Sequence, residues 1–302
     1  MPRPATRPTP QALAWVEQTL GRGARVVGST RLSGGLTSNV HRLTVNRNGR
    51  LEAYVLRWWP PQSESQDWID RAVPLETAVL TTLERTDIPA PRVIGATTDP
   101  AAGGPAVLMT RVPGRVYLMP RDRESWLRQM AHMLARIHAL ALDGRPFASW
   151  LDRSRLSPPP DASHVGVWRD AIALVAEERR PVRTCFVHRD YQHFNLLWMR
   201  GRLTGVVDWI EAGLGPPEID VGHCRLNLTL LFSADVADRF RAMYEAESGH
   251  TVDAWWDVHA LLSYSPSWKA FLPIQIDRRA PFDAGGMTGR MEDVLLGALR
   301  RA

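Results

Sequence analysis

Three side chains with oxygen donors stand beside short apolar segments in the middle of the chain. Asp190 and Asn195 lie five residues apart in the segment FVHRDYQHFNLLWM, and Asp208 follows the segment LTGVV. A carboxylate next to buried surface is unstable without a partner. A glycine between the two apolar segments predicts a tight hairpin, which would bring Asn195 close to Asp208. Oxygen ligands of this kind suit Mg²⁺, which binds one or two carboxylates together with phosphates.

Two other interpretations of these residues are open. A single Asp or Asn in a loop is most often a turn or cap residue, but the joint spacing favours a site. His188, Asp190 and His193 also form an H-x-D-x-x-H pattern that could ligate zinc for metal-dependent hydrolysis. That interpretation leaves Asn195 and Asp208 unexplained, and His193 by itself is interpreted as a local loop residue.

The same stretch resembles a known catalytic loop. His188 to Asn195 match the protein-kinase pattern H-R-D-x-x-x-x-N, and Asp208 stands where kinases have D-F-G, here without the glycine. Gln192 occupies a position where protein Ser/Thr kinases usually carry lysine. From Asp208 to Asp220 the chain reads D-W-x-x-A-G-x-G-P-P-x-x-D. This pattern resembles the aminoglycoside phosphotransferase family of small-molecule kinases, and the resemblance extends over the chain from about residue 25.

The resemblance implies a fold and a reaction. The expected fold class is α/β (α+β), a bilobal protein-kinase-like fold with an N-terminal antiparallel sheet lobe and a larger helical C-terminal lobe. The expected domains are a tail and helix at 1–24, a nucleotide-binding lobe at 25–112 and a catalytic and acceptor-binding lobe at 113–302. The expected reaction transfers the γ-phosphoryl group of ATP to a hydroxyl of a small molecule, with ATP between the lobes.

Roles for individual residues follow from the same resemblance. Asp190 would orient the acceptor hydroxyl and take its proton, while Asn195 and Asp208 would hold Mg²⁺. His188 would brace the loop, and Asp220 would anchor it by accepting backbone hydrogen bonds.

The N-terminal part carries candidates for nucleotide binding. Strand-like segments flank a glycine-containing loop with Gly34, Gly35, Ser38 and Asn39, which reads either as a phosphate-binding loop or as an ordinary hairpin. A second hairpin is predicted at the Asn-Gly pair 48–49.

The third predicted strand should carry the cation that grips the phosphates. Arg57 occupies that slot, either as the phosphate-binding cation or as an exposed strand arginine. A lysine there is excluded, because the one lysine of the chain is Lys269. A helix is predicted from Pro74 to Arg85, and its Glu76 is either the partner of Arg57 or a first-turn glutamate favoured by the helix dipole.

Two further groups of candidates come from the resemblance. Backbone groups at the hinge would bond adenine, from Met109 through Arg111 to Val112. Helices of the C-terminal lobe would line the acceptor pocket, where carboxylates could meet a cationic substrate; Glu211 and Asp257 are the main candidates, and Asp253, Asp277 and Asp283 are others. Each of these carboxylates could instead be a helix cap or a solvated surface residue.

Composition limits the class of protein. A chain of 302 residues with 44% hydrophobic residues can bury a large core, and its two cysteines suit a reducing compartment. No apolar run of 18 residues occurs, so we expect a cytoplasmic protein without membrane segments. Residues 1–150 hold 19 basic and 12 acidic residues and the rest hold 18 and 20. That distribution does not suit nucleic acid, and the oligomeric state is left open.

Three functions are therefore compatible with the sequence. The first is a kinase that modifies an aminoglycoside or another antibiotic, and the second is a metabolic kinase for an amino alcohol, a sugar or a similar molecule. The third is a catalytically silent nucleotide-binding regulator. Intact base and metal positions argue against the third, whereas Arg57 and the incomplete glycine pattern leave it open.

Overall fold

The computed structural model describes residues 7–32, 38–59, 66–179, 181, 183–263, 267–276 and 279–302. The chain divides into two compact units. Unit 1 comprises Met1–Gly114 and Gly205–Ile210, and unit 2 comprises Arg115–Thr204 and Glu211–Ala302. Asp208 therefore belongs to unit 1, whereas Asp190 and Asn195 belong to unit 2.

Unit 1 is an antiparallel sheet with two helices. Its elements are α1 (Pro10–Leu20), β1 (Ala24–Arg31), β2 (Asn39–Arg47), β3 (Arg50–Trp58), α2 (Gln66–Leu83), β4 (Val93–Thr97) and β5 (Ala106–Thr110). The strand order is β1-β2-β3-β5-β4, and every registered pair is antiparallel. This is the sheet-rich N-terminal part of the expected fold class.

Local sequence explains the start of α1 and the turn between β2 and β3. Thr9 caps α1, because its hydroxyl oxygen accepts a hydrogen bond from the backbone N–H of Ala12 at 3.2 Å. Asn48 and Gly49 both have positive φ, 51° and 85°, as a two-residue hairpin of type I′ requires. The hairpin predicted at this Asn-Gly pair is confirmed, with Arg47 paired to Arg50.

The start of α2 differs from the sequence prediction. The helix begins at Gln66 and contains Pro74 in its interior, so the prediction of a start at Pro74 was wrong. Ile69 and Val73, which precede the proline, are buried in a cluster that also contains Trp59. Proline prefers the first turn of a helix, which is why the sequence suggested a start at Pro74. Burial of the apolar residues before Pro74 stabilises the additional turns, so the helix begins earlier.

Unit 2 is mainly helical. Its helices are α3 (Arg123–His138), α4 (Val165–Leu174), α5 (Glu218–Leu231), α6 (Ala234–Ser248), α7 (Ala254–Leu262), α8 (Trp268–Ile276) and α9 (Met287–Leu299). Its short strands are β6 (Cys185–Val187), β7 (Leu196–Met199), β8 (Arg202–Val206) and β9 (Gly213–Gly215), and β8 runs across the boundary into unit 1. Among the described residues, no helix is both long and apolar enough to cross a membrane.

Two strand pairs frame the loop that contains Asp190. β6 pairs antiparallel with β9, and β7 pairs with β8. Arg200 and Gly201 have φ values of 52° and 75°, so the hairpin predicted between the two apolar segments is confirmed. The loop therefore begins after one strand pair and ends at another.

Helix α5 lies in the core of unit 2, with every residue buried. Its Arg225 is fully buried and forms ion pairs with Asp257 of α7 and Asp238 of α6. Asp257 is also fully buried and forms a second ion pair, with Arg301. A buried arginine needs such partners, because an unpaired buried charge is strongly destabilising.

Removing one of these carboxylates should destabilise unit 2. We expect Asp257→Ala to lower the free energy of unfolding by about 3–5 kcal/mol, because Arg225 stays buried without its fully buried partner. Urea unfolding followed by circular dichroism measures this change. Glu124→Ala is the matched control: it removes an exposed carboxylate that pairs with Arg239, and should cost less than about 1 kcal/mol. Equal small losses in both variants would show that burial of the pair does not matter.

Candidate active site

In unit 1, Arg57 bridges two carboxylates. Its Nη1 lies 2.9 Å from Glu76 Oε1 and its Nη2 lies 2.8 Å from Asp208 Oδ1. Arg57 is buried on β3, and Glu76 is buried on α2. The structure therefore shows the contact with Glu76 that was one of the two interpretations of this glutamate, and it adds Asp208 to the same cluster.

The backbone at Asp208 adopts an unusual conformation. Its φ of 70° lies in the left-handed region, which Asp tolerates better than most residues. The next residue, Trp209, is fully buried, and its indole N–H donates to the carbonyl of Val206 at 2.9 Å. The packed indole thus fixes the turn that directs Asp208 towards Arg57.

Glu76 is affected by its burial. Burial raises the pKa of Glu76 to about 7, and the charge of Arg57 opposes that rise while the charge of Asp208 adds to it. The cluster therefore holds two carboxyl groups on one guanidinium, and one of them titrates near neutral pH.

The remaining nucleotide candidates lie at or near the ends of strands of the sheet. Ser38 and Asn39 are buried at the start of β2, whereas Gly34 and Gly35 fall outside the described residues. Met109 lies in β5, where it pairs with Val55 of β3 and Val93 of β4. Arg111 and Val112 follow the end of this strand. The predicted backbone contacts to adenine therefore stay a prediction. Of the predicted residues, 111 and 112 lie beyond the paired part of β5.

In unit 2, Asp220 holds the loop that precedes Asp190. Its Oδ2 accepts from the backbone N–H of His188 at 2.7 Å, and its Oδ1 accepts from that of Arg189 at 2.6 Å. The Nε2 of His138 lies 3.0 Å from Oδ2. Burial raises the pKa of Asp220, but the hydrogen bond and charge of His138 and the bond from His188 outweigh it, so the pKa is lowered. These are the backbone bonds expected of Asp220.

Arg189 needs this support, because its φ of 68° is in the left-handed region. Its guanidinium is buried, donates to the carbonyl of Ala148 at 2.6 Å and lies 4.3 Å from the ring centroid of Trp150. The residue before Asp190 is therefore fixed at both its backbone and its side chain.

The carboxylate of Asp190 accepts three side-chain hydrogen bonds. Gln192 Nε2 donates to Oδ1 at 2.6 Å, and Asn195 Nδ2 donates to Oδ2 at 2.7 Å. The third contact joins His223 Nε2 to Oδ1 at 2.8 Å. Burial raises the pKa of Asp190, but the hydrogen bond and charge of His223, with those of His188 and Asn195, lower it below its usual range. The side chain is 27% exposed, so an ionised carboxylate is accessible to a reacting group.

The two histidines of the zinc interpretation have other surroundings. His188 Nδ1 lies 3.2 Å from the backbone N–H of Asp190 and accepts from it. His193 is fully buried, with its ring 4.3 Å from that of Phe194 and 6.0 Å from that of Trp126, and burial lowers its pKa to about 3. Within the described part of the chain, no cluster of three or more His, Cys, Asp or Glu could hold a metal ion. The geometry therefore does not support a zinc site here.

The model of the family described as "Phosphotransferase enzyme family" matches residues 29–261, well over half of the chain. This chain is a member of that family. The expectation drawn from the catalytic-loop pattern is thereby confirmed at the level of the family, and the expected fold class is confirmed as well.

A curated protein is similar to part of this chain. A protein of Arabidopsis thaliana, named probable acyl-CoA dehydrogenase IBR3, is 27% identical over 213 residues, which cover 60% of this chain and 26% of that protein. The match thus spans about a quarter of the length of the curated relative.

Solved structures show the same fold. A Ralstonia eutropha protein provisionally assigned as an aminoglycoside phosphotransferase has 20% identity and a TM-score of 0.62 over 98% of this chain and 99% of that one. LicA in complex with AMP has 16% identity and a TM-score of 0.60, over 95% and 96%. A thermostable mutant of aminoglycoside phosphotransferase APH(4)-Ia in a complex with ADP and hygromycin B has 18% identity and a TM-score of 0.55, over 96% and 98%.

In this chain, the two predicted magnesium ligands each keep an oxygen that suits the ion. Asn195 uses its amide N–H groups on Asp190, so its carbonyl oxygen is the atom left for a cation. Asp208 uses Oδ1 on Arg57, and its Oδ2 has no partner among the described residues. Each donor is of a kind that Mg²⁺ takes, so each residue by itself suits the ion.

The predicted acceptor carboxylates are paired with arginines. Glu211 contacts Arg145 and lies 3.7 Å from Arg189, while Asp257 is fully buried between Arg225 and Arg301. The structure therefore gives Asp257 a role in holding helices together, in place of the expected contact with an acceptor. The additional candidates also differ from that expectation: Asp253 caps α7, Asp283 pairs with Arg290, and Asp277 lies outside the described residues.

His223 is the site residue that sequence reasoning missed. It stands three positions after Asp220 on α5, and residues three apart in a helix share a face. Since Asp220 faces the loop that contains Asp190, this spacing could have placed His223 towards the same loop. The family pattern ends at Asp220, before His223, so the motif itself carried no such signal.

The cluster around Arg57 predicts a pH-dependent stability. The pKa of Glu76 is raised from 4.5 to about 7, so the folded protein keeps a proton that the unfolded chain releases between these pH values. The stability that this proton contributes is full below about pH 4.5 and is lost as the pH rises to about 7. We expect the unfolding free energy of the wild type, relative to Glu76→Gln, to fall by about 3 kcal/mol over that range. Urea unfolding of both proteins at several pH values measures this difference, and a constant difference would contradict the prediction.

Proposed function

We propose that this phosphotransferase transfers the γ-phosphoryl group of ATP to a hydroxyl group of a small molecule, with Asp190 as the base. The observation that carries the proposal is the accessible carboxylate of Asp190, held ionised by three hydrogen-bond donors at 2.6–2.8 Å. An ionised carboxylate in a fixed orientation is what proton transfer from a hydroxyl requires.

The reaction has a simple balance. The oxygen of the acceptor hydroxyl attacks the γ-phosphorus, the bond from that phosphorus to the leaving oxygen of ADP breaks, and the hydroxyl proton passes to Asp190. Magnesium, with Asn195 and Asp208 as its proposed ligands, would neutralise charge on the phosphates. Arg57 would bind the α and β phosphates through its guanidinium group, which suits phosphate oxygens. Most of the catalysis is then positioning and charge stabilisation.

The pairing of the acidic residues favours an acceptor that is not a polycation. The candidate carboxylates that the structure describes on and near the C-terminal helices are neutralised by arginines or used as caps. A polycationic aminoglycoside would have to displace these arginines, which costs free energy. Neutral or anionic hydroxyl compounds, including antibiotics without several amines and metabolites, therefore fit better.

The Arabidopsis relative favours one acceptor class among these. Its name assigns it to the acyl-CoA dehydrogenases, and about a quarter of its length matches this phosphotransferase. A phosphotransferase segment joined to an enzyme for acyl thioesters suggests that both act on related molecules. A hydroxylated acyl thioester is thus a further candidate acceptor, in addition to amino alcohols and sugars.

ADP release identifies the acceptor. The purified protein is incubated with ATP and Mg²⁺ and a panel of aminoglycosides, other antibiotics, sugars, amino alcohols and hydroxyacyl thioesters, with and without EDTA. We expect EDTA-sensitive release with a neutral or anionic acceptor. Binding of ATP by calorimetry, with no release for any acceptor, would support the silent regulator instead.

Loss of the base should abolish turnover and spare binding. We expect Asp190→Ala to lower kcat at least about 10²-fold, because no other group takes the hydroxyl proton, while the dissociation constant for ATP stays within a few fold. Glu178→Gln, which removes an exposed carboxylate, is the control and should leave kcat unchanged. Turnover near that of the wild type in Asp190→Ala would contradict the proposal.

The arginine in the lysine slot should affect nucleotide binding. We expect Arg57→Lys to raise the KM for ATP about tenfold, because one ammonium group cannot reproduce a fork that holds two carboxylates at 2.8 and 2.9 Å. The KM for the acceptor should not change. Arg42→Lys, at an exposed position of the neighbouring strand β2, is the matched control. Equal KM values in both variants and the wild type would show that Arg57 does not contact the nucleotide.

A further inference from the structure

We propose that His223 is a positioning residue, which turns the carboxylate of Asp190 so that Oδ2 accepts the proton of the acceptor hydroxyl. The inference rests on the proposed function and concerns a residue outside the catalytic-loop pattern. It depends only on contacts within unit 2.

The hydrogen bonds on Asp190 identify the reactive oxygen. An ionised carboxylate offers about four acceptor positions, two on each oxygen. Gln192 and His223 occupy both positions of Oδ1, at 2.6 and 2.8 Å, whereas Asn195 occupies one position of Oδ2, at 2.7 Å. Among the described residues, no further side-chain donor bonds to either oxygen. One acceptor position on Oδ2 is therefore left for the hydroxyl of a substrate.

The direction of the His223 bond follows from the partner. The Nε2 of His223 lies 2.8 Å from Oδ1 of Asp190, and a carboxylate oxygen accepts hydrogen bonds, so Nε2 is assigned as the nitrogen that carries the proton. The amide Nδ2 of Asn227 lies 3.4 Å from the same Nε2. It donates its hydrogen bond to the backbone carbonyl of His223, at 3.0 Å. His223 is thus a donor to Asp190.

Helix α5 holds His223 in place. Its Asp220, one turn before His223, accepts the backbone N–H groups of His188 and Arg189. A side chain at Gly222 would overlap the Cβ atom of Ala260 in α7, so the two helices pack closely at this position. One helix therefore fixes both the backbone before Asp190 and the rotation of its carboxylate.

A positioning role has a distinct kinetic effect. Without the His223 bond, the carboxylate of Asp190 can rotate and the remaining position of Oδ2 no longer faces one direction. The chemical step then slows, while binding of ATP and acceptor is retained. A histidine that only packed in the core would instead change stability and leave the kinetics of the folded enzyme unchanged.

The experiment compares His223→Leu with His223→Gln. Glutamine places its Nε2 as many bonds from Cα as histidine does, so it keeps a donor for Asp190, whereas leucine keeps only bulk. We expect His223→Leu to lower kcat about 10- to 100-fold with KM values within twofold, as loss of a hydrogen bond to a charged group implies. His223→Gln should recover most of the lost kcat. His259→Gln, at another buried histidine of unit 2 that bonds to Ser149, is the control for melting temperature and should keep kcat.

A double variant tests whether His223 acts through Asp190. We expect His223→Leu to cause no further loss in an Asp190→Asn background, because the group that it positions is gone. An equal loss in both backgrounds would overturn the inference, as would wild-type kcat in His223→Leu. Equal impairment of the folded Leu and Gln variants would also overturn it.

A spectroscopic measurement separates this inference from the proposed function. A hydrogen-bonded imidazole N–H proton should appear downfield in the ¹H NMR spectrum of the wild type, vanish in His223→Gln and shift in Asp190→Ala. Its absence in the wild type would overturn the inference even if ATP turnover is found. Its presence without any turnover would overturn the proposed function and the catalytic role of the contact, while the contact itself stands.

Discussion

The buried carboxylate of Asp220 is the interaction on which the site in unit 2 depends. It accepts two backbone N–H groups of the loop before Asp190 and the imidazole of His138, which all come from other elements. The backbone at Arg189 is in the left-handed region, so the loop would relax without these bonds. The buried, hydrogen-bonded carboxylate of Asp220 therefore stabilises the loop in this strained conformation.

Unit 1 also contains a buried charge with partners, but there the charge is positive. There a cation, Arg57, is buried on a strand and is compensated by two carboxylates at 2.8 and 2.9 Å. Because guanidinium is planar and has several donors, it can hold both carboxylates at once. The pKa of Glu76 is nevertheless raised, because burial favours the neutral acid more strongly than the charge of Arg57 favours the carboxylate. Such clusters of perturbed groups occur at functional sites more often than elsewhere.

Arginine is also the partner of the acidic residues in unit 2. Arg225 and Arg301 neutralise Asp257, and Arg145 neutralises Glu211. Carboxylates that look available in the sequence are therefore part of the framework. The fold is shared with an aminoglycoside phosphotransferase solved with hygromycin B, but a fold by itself does not determine the acceptor.

The sequence alone determined the features that depend on a few neighbouring residues. The cap at Thr9 and the turns at Asn48 and Arg200 follow from local backbone preferences, and the pattern from His188 to Asp220 indicated the family. Only the tertiary structure decided which elements extend and which charges meet. Helix α2 begins before Pro74 because of burial against a distant strand, and the partners of Asp190 and Asp257 include residues more than 30 positions away. Local preferences act over a few residues, whereas burial and ion pairing depend on elements that only the folded chain brings together.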